Sequence, residues 1–148
     1  MNDFEYMHLA IAQAQAAAVR GEVPIGAVVV LDDRILAAAG NRTITDCDPT
    51  AHAEILALRE GAQKAVNYRL VGASLYVTVE PCAMCAGALV QARIARLIYG
   101  ADEPKGGAVR SCLQVLDAPG INHRVEVVSG VLAGEAVRLL QSFFSARR

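Results

Sequence analysis

The segment of residues 74–101 has the pattern of a strand, a helix and a second strand in immediate succession. It begins with the apolar run SLYVTV, continues after Pro81 with CAMCAGALVQAR, and ends with RLIYGA. Two strands joined by a helical crossover lie parallel in one sheet, and the crossover helix covers one face of that sheet. The chain is therefore restricted to folds in which helices pack on a sheet that contains parallel strands.

The remaining segments extend this unit to five strands. A β-hairpin is predicted for IGAVVVL and ILAAA, which are separated by DDR, and a fifth strand for HRVEVVSG. A first helix is predicted for DFEYMHLAIAQAQAAAVRG, capped by Asp3 and ended by Gly21. In DPTAHAEILALREGA, Asp48 and Pro49 indicate a helix start, and VLAGEAVRLLQSFFSARR has an amphipathic helical period. We predict an α/β fold with a mixed five-stranded sheet, in one domain of residues 1–148.

The composition indicates a globular protein and excludes several classes. Apolar residues make up 54% of the chain and charged residues 20%, and no apolar run reaches the roughly 20 residues of a membrane helix. The first residues lack a secretory leader, so a cytoplasmic enzyme is expected. The net charge of −1 gives no general basic surface for nucleic acid. RNA contacts would need a local patch, for which the terminal Arg147 and Arg148 are candidates, although such a pair also suits a solvated helix end.

Cys82 and Cys85 lie three residues apart at the start of the third predicted helix. Free backbone N–H groups and the helix dipole lower thiol pKa values at such a position. The spacing alone leaves three readings open: a redox pair, half of a structural zinc site, or part of a catalytic zinc site. A catalytic site has three protein ligands and one position for water, whereas a structural site has four protein ligands.

A histidine and a carboxylate at the start of the second predicted helix could supply a third metal ligand and an acid–base group beside the cysteine pair. His52 is followed two residues later by Glu54. A lone histidine near a helix start is more often packed or capped than a metal ligand. Its position matches that of the cysteine pair on the next helix, however, and the combination predicts zinc held by His52, Cys82 and Cys85. Glu54 is expected to lie outside the ligand set, beside the water.

The other two cysteines have different expected roles. Cys47 lies five residues before His52 and is an alternative fourth ligand. A fourth ligand would close the coordination of the zinc and make the site structural. Cys112 is expected to fill a small apolar gap.

These residues carry a resemblance to a known family. His52-Ala53-Glu54 and Pro81-Cys82-Ala83-Met84-Cys85 match the H-x-E and P-C-x-x-C signature of zinc nucleobase deaminases. Nearly the whole chain resembles the bacterial tRNA-specific adenosine deaminase family, through EVPIGAVVV, GNRT, DPTAHAEILALREGAQ, NYRL, LYVTVEPCAMCAGALVQARI, NHRVEVVSGVL and FFSARR. The resemblance implies a three-layer α/β/α fold of the cytidine deaminase-like type.

The resemblance also implies a function. It is the hydrolytic deamination of adenosine to inosine at the wobble position of a tRNA anticodon, with one Zn²⁺ per subunit. Water activated by zinc would attack C6 of adenine, while Glu54 would act as the catalytic proton shuttle. The anticodon stem-loop is the implied partner of a cytoplasmic homodimer that does not enter a membrane. Contacts to the substrate are implied for Asn41, Ala53, Glu103, Lys105, Asn122, His123, Arg147 and Arg148.

The sequence departs from the family pattern at two places, and it is compatible with two alternative functions. Glu103 stands where Asp is usual, and Val109-Arg110 replaces small residues, so that Arg110 is a candidate for an added phosphate contact. A guanine or cytosine deaminase acting on small molecules would share the zinc motif. A non-catalytic, zinc-stabilised deaminase-fold subunit would not need Glu54.

Overall fold

The structure, a computed structural model, describes residues 1–147. Its strands are β1 (Gly26–Leu31), β2 (Arg34–Gly40), β3 (Ser74–Val79), β4 (Arg96–Ala101) and β5 (Glu126–Val128). Its helices are α1 (Asp3–Val19), α2 (Ala53–Ala65), α3 (Ala83–Gln91) and α4 (Ala133–Ser145), and a 3₁₀ helix covers Val115–Asp117. The strands form one sheet in the order β2-β1-β3-β4-β5.

The sheet is mixed, as predicted. β1 pairs antiparallel with β2 and with β3, while β3, β4 and β5 run parallel. The strands predicted from SLYVTV and RLIYGA coincide with β3 and β4. α3 is the crossover between them, so the strand–helix–strand unit has the geometry that its sequence indicates.

Helices cover both faces of the sheet, and alternate residues of β1 show how the layers form. Val28 and Val30 pack in one apolar cluster with residues of α1. Ala27 and Val29 point to the other face, into the cluster that contains residues of α2 and α3. Successive strand residues face opposite sides, so a continuous apolar strand is buried between two helical layers. The predicted three-layer α/β/α fold is thereby confirmed.

Two of the predicted helix starts are wrong. Asn2, and not Asp3, caps α1, because its side chain accepts a hydrogen bond from the backbone N–H of Glu5. The helix predicted to start at Pro49 begins four residues later, at Ala53. Asp48 instead closes a local turn, accepting hydrogen bonds from the backbone N–H and the hydroxyl of Thr50, both at 2.8 Å.

A polar network at one end of the sheet fixes α1 to the strands. Asp3 accepts hydrogen bonds from the Tyr76 hydroxyl at 2.6 Å and from Arg96 at 2.9 and 3.2 Å. The Arg96 guanidinium lies 3.4 Å from the carboxylate of Glu126 as well. The hydrogen bonds from Arg96 are the main cause that lowers the pKa of Asp3. Asp3 thus joins the first turn of α1 to β3 and β4 at the end where these strands begin.

We expect Gly26→Ala to destabilise the protein strongly, because α1 packs directly on the backbone of β1. A Cβ at Gly26 would clash with the carbonyl oxygen of Ala10 and lie 2.6 Å from the backbone nitrogen of Ala14. Backbone cannot swing aside as a side chain can, so the loss should be at least about 3 kcal/mol of unfolding free energy.

Urea unfolding measures this loss. Gly134→Ala is the matched control, because a Cβ there would meet only the flexible guanidinium of Arg138, at 3.3 Å. Alanine also favours a helix over glycine by roughly 1 kcal/mol. An equal unfolding midpoint for the two variants would contradict this account of the contact between α1 and β1.

Candidate active site

A cavity of about 440 Å³ opens at the edge where β3 ends and β1 begins. The first residues of α2 and α3 and the loop after β4 reach the same edge. The lining residues are Ile25, His52, Glu54, Val79, Glu80, Cys82, Glu103, Lys105 and Gly106. Ligands in α/β proteins commonly bind outside the carboxyl ends of the parallel strands, as this cavity is placed.

His52 and Cys82 occupy equivalent positions, each as the N-cap residue of a helix. Their backbones are extended, with φ of −74° and −75°, and neither side chain makes a capping hydrogen bond to its own helix. The imidazole and the thiol are therefore free to point at a shared centre. Because α2 starts at Ala53 and not at Pro49, His52 can present its ring from the helix tip.

The structure brings together the three predicted metal ligands. Nδ1 of His52 lies 3.5 Å from Sγ of Cys82 and 3.5 Å from Sγ of Cys85, and the three ligand atoms are all within 4.8 Å of one another. This is the one cluster among residues 1–147 in which three or more His, Cys, Asp or Glu side chains could hold a metal ion. One imidazole and two thiols are a typical donor set for zinc.

The remaining cysteines lie outside the cluster. Cys47 is exposed, and its thiol is 3.7 Å from the carbonyl oxygen of Ile44. The cluster of ligand atoms does not include it, so the arrangement favours three protein ligands over four. Cys112 is also exposed, and its thiol donates to the carbonyl oxygen of Pro104. The expectation that Cys112 fills an apolar gap is wrong.

Mutual hydrogen bonding sets the charge of the cluster. A hydrogen bond from the Cys85 thiol, and a second one from His52, lower the pKa of the Cys82 thiol to about 3. Cys82 is therefore a thiolate. The hydrogen bond to this thiolate raises the pKa of Cys85, and burial adds to the effect. The hydrogen bond to Cys82 also raises the pKa of His52. An anionic sulfur is thus present to attract a cation.

Glu54 is the buried acid of the cavity. Its side chain is only 4% exposed, and it belongs to the first turn of α2, two residues beyond His52. Desolvation raises the pKa of Glu54 to about 7. A carboxyl group with a pKa near neutrality can both accept and donate a proton, which is what a general acid–base residue requires.

Asn41 is held against the start of α2. Its Oδ1 accepts a hydrogen bond from the backbone N–H of Ala53 at 2.8 Å, and Arg20 donates to its backbone carbonyl at 3.2 Å. With Oδ1 engaged, the amide Nδ2 is the donor that Asn41 can offer to a substrate. The N–H of Ala53, predicted to contact the base, is already paired with Asn41 in this structure.

Two buried carboxylates were missed by the sequence analysis, and one of them, Glu80, lines the cavity. Glu80 is 3% exposed and follows β3 directly, and Glu22 is 1% exposed and lies between α1 and β1. Burial acts to raise the pKa of Glu80, but hydrogen bonds from the backbones of Arg110 and Ser111 lower it to about 2. For Glu80, the signal in the sequence was an acidic residue directly after the mostly apolar strand SLYVTV, since buried charges require specific partners.

The loop after β4 lies at the cavity, but its predicted contact residues also serve the loop itself. Glu103 and Lys105 line the cavity. The Glu103 carboxylate accepts a hydrogen bond from the backbone N–H of Lys105 at 2.9 Å. Arg110, a candidate for a phosphate contact, donates to the Ser129 hydroxyl at 3.2 Å.

The other predicted RNA contacts are not brought to this cavity. The His123 ring is 2.8 Å from the carbonyl oxygen of Ile94, just before β4, and lines a separate cavity of about 550 Å³. This is the opposite end of a six-residue strand, about 20 Å away. Asn122 precedes His123 and is exposed. Arg147 lies over the Phe143 ring at 3.5 Å, and Arg148 lies outside the described residues.

Comparison with known proteins agrees with this fold and site. The model of the MafB19-like deaminase family matches residues 1–148, and the chain is therefore a deaminase of that class. The tRNA-specific adenosine deaminase of Agrobacterium fabrum (strain C58) is 49% identical over 143 residues, which are 97% of this chain and 94% of the relative. The chain belongs to the tRNA-specific adenosine deaminase family, which confirms the family predicted from its sequence.

Solved structures give the same result. A structure from studies of A-to-I editing by tRNA:A34 deaminases at the wobble position of transfer RNA is 49% identical. It superposes with a TM-score of 0.90 and covers 92% of this chain and 99% of its own. The guanine deaminase of Nitrosomonas europaea superposes with a TM-score of 0.83 at 22% identity, over 96% of this chain and 84% of its own. That second likeness shows the fold alone.

Proposed function

We propose that the chain is a zinc-dependent enzyme that hydrolyses adenosine to inosine at the wobble position of a tRNA anticodon. The observation that carries the proposal is the meeting of three features in one cavity: a ligand cluster of three, a buried carboxyl group and a loop at the cavity wall. The 49% identity to tRNA-specific adenosine deaminases supports this substrate over a free nucleobase.

The donor set supports zinc as the metal. His52, Cys82 and Cys85 would be the ligands, one ion per chain, and a set of three protein ligands would leave a place for water, as in catalytic zinc sites. Zinc bound there supplies a Lewis acid that lowers the pKa of water toward neutrality. Of the cluster, only Cys85 is fully buried, so the open position would face the cavity that His52 and Cys82 line.

Glu54 would transfer protons during the reaction, and Asn41 would bind the base. Glu54 would take a proton from the attacking water and deliver it to N1 of adenine. It would then take the proton of the new C6 hydroxyl and pass it to the departing amino group, which leaves as ammonia. Water adds at C6, the C6–N6 bond breaks, and inosine and ammonia result. The Asn41 amide would donate to the base through Nδ2 while its Oδ1 keeps the first turn of α2 in place.

The loop after β4 would meet the RNA around the reacting base. A wobble adenosine must leave its stack to reach a buried site, at a cost of a few kcal/mol, and loop nucleotides are already partly unstacked. Glu103 and Lys105 stand at the cavity wall, where they would contact the flanking nucleotides. The roles of Asn122, His123, Arg147 and Arg148 stay predictions, and His123 would require RNA at a second surface.

The homodimer implied by the family is also part of the proposal. An apolar groove of about 360 Å³ runs along α2 and α3, the helices that begin at the cavity, and it is lined by Ile55, Leu58, Arg59, Ala62, Tyr68, Ala88, Gln91 and Ala92. Tyr68 is 69% exposed. Ile55 and Ala88 are partly exposed beside it. An apolar groove with an exposed aromatic side chain is typical of an interaction surface, and a second copy of the chain is the occupant that we propose.

A tRNA substrate also supports the cytoplasmic location expected from the sequence. Among residues 1–147, the structure contains no helix that has both the length and the apolar character needed to cross a membrane.

The test is inosine formation in an anticodon stem-loop with adenosine at the wobble position, with free adenosine, cytosine and guanine in parallel. We expect turnover of the stem-loop alone, because only it offers nucleotides to the loop after β4. Omission of zinc from a chelator-stripped sample should abolish the reaction, and readdition should restore it. Turnover of a free base with an unchanged stem-loop would reassign the substrate, and zinc binding without any turnover would favour the non-catalytic subunit.

A further inference from the structure

One buried carboxylate gathers hydrogen bonds from both ends of the loop that walls the cavity. We call residues 102–111, between β4 and the 3₁₀ helix, the cavity loop. Oε1 of Glu80 accepts from the backbone N–H of Glu103 at 3.1 Å and from the Ser111 hydroxyl. Oε2 accepts from the N–H groups of Val109, Arg110 and Ser111, at 3.1, 2.8 and 3.0 Å. These donors come from the first and the last residues of the loop.

The surroundings of Glu80 are built for this carboxylate. A Cβ at Gly107 would lie 2.5 Å from the Glu80 carboxyl carbon and 2.6 Å from the carbonyl oxygen of Glu103. The loop therefore passes over the carboxylate with no room for a side chain at this position. Burial of a charged group is costly unless hydrogen bonds replace its hydration, and five donors do so here. The backbone N–H of Ala108 also donates to Pro81, at 2.8 Å.

We propose that Glu80 is a positioning residue for the proposed deamination, holding the cavity loop so that Glu103 and Lys105 stand beside the reacting base. This inference rests on the proposed function and adds the means by which the RNA-facing wall is shaped. Lys105 and Gly106 are exposed and line the cavity with His52 and Glu54. The cavity loop contains no helix or strand; Ala108 and Val109 anchor its middle in the core, and the carboxylate of Glu80 joins its two ends.

Glu80→Gln is the most specific test. The amide has the shape of the carboxylate, but only its oxygen can accept hydrogen bonds, because an NH2 group replaces the second oxygen. We expect the KM for the anticodon stem-loop to rise at least about tenfold, while kcat changes by less than about threefold. Zinc content should stay at one ion per chain. Ser111→Ala removes a single donor, and we expect a smaller rise in KM in the same direction.

Hydrogen exchange measures the protection of the backbone amides of the cavity loop, and it requires no substrate. The amides of Glu103, Val109, Arg110 and Ser111 should exchange at least about tenfold faster in Glu80→Gln than in the wild type. Unchanged exchange at these amides would overturn the positioning role, and so would faster exchange with an unchanged KM. A wild-type protein that neither binds nor deaminates the stem-loop would instead refute the proposed function, and the exchange result would still decide what holds the loop.

Glu22→Gln is the matched control for general destabilisation. Glu22 is equally buried and accepts hydrogen bonds from the backbones of Ile44 and Thr45, at 3.2 and 2.7 Å. The segment that Glu22 holds, residues 43–45, is absent from the cavity lining. We expect a lower melting temperature with a KM within about twofold of the wild type. A rise in KM equal to that of Glu80→Gln would overturn the proposal, since the effect would then follow stability.

Discussion

Glu54→Ala should lower the rate of inosine formation in the anticodon stem-loop by about 10²–10⁴-fold, which is the usual contribution of general acid–base catalysis. The reason is the position of this carboxyl group. Glu54 lines the cavity two residues beyond His52, and desolvation raises its pKa to about 7. No other carboxylate of the cavity lining is free for the task, because Glu80 is fully hydrogen bonded and Glu103 binds its own loop.

The measurement is single-turnover kinetics with saturating enzyme, and zinc content is determined on the same samples. Single turnover separates the chemical step from binding and product release. The zinc content should not change, because Glu54 is not among the clustered ligand atoms. A loss of zinc in Glu54→Ala would show that Glu54 supports the metal site. The fall in rate would then be explained by the missing metal and would not indicate proton transfer by Glu54.

Glu60→Gln serves as the control on the same helix. Glu60 forms an exposed ion pair with Lys64 at 2.9 Å, and exposed pairs of this kind contribute little to stability. We expect wild-type rates from this variant. A comparable fall in the two variants would point to a general disturbance of α2.

Cys85→Ser should remove zinc and activity together. Cys85 is fully buried and lies 3.5 Å from Nδ1 of His52. A hydroxyl is a far weaker zinc ligand than a thiolate, and we expect the zinc affinity to fall by more than about 100-fold, beyond the loss seen when an outer-shell partner is removed. Competition with a chromophoric chelator measures this affinity without reference to any substrate.

Cys47→Ser distinguishes the two ligand schemes drawn from the sequence. Cys47 is exposed and lies outside the ligand cluster, so this variant should keep both zinc and activity. If zinc were lost from Cys47→Ser, a fourth protein ligand would be indicated and the site would be structural. Retention of zinc by Cys85→Ser would refute the proposed ligand set.

Local patterns were enough to predict the central strands and the sets of residues that meet at the cavity. β3 has three β-branched residues in SLYVTV, and β4 has the consecutive strand formers Leu97, Ile98 and Tyr99 in RLIYGA. The start of α2 was predicted wrongly because Asp48-Pro49 also suits a turn. Only the bonds to Thr50 decide between the two structures.

The cavity wall could not be predicted from the sequence, because long-range contacts determine it. Glu80 is 31 residues from Ser111, and nothing in the sequence near either residue indicates their bond. The position of His123 at the far end of β4 likewise depends on how the chain returns after the 3₁₀ helix. A short polar motif such as NHRVEV shows a family, while the surface on which it lies depends on the register of β5.

The network around Asp3 has a consequence for how this protein can change. It joins α1 to the strands at the end where β3 and β4 begin, while the cavity lies where they finish. The stabilising network and the candidate active site therefore lie at opposite ends of the strands of one sheet. Substitutions that change substrate preference can accumulate at the cavity end, while stabilising substitutions accumulate at the end that contains Asp3. The effects of substitutions at such separated sites are generally additive.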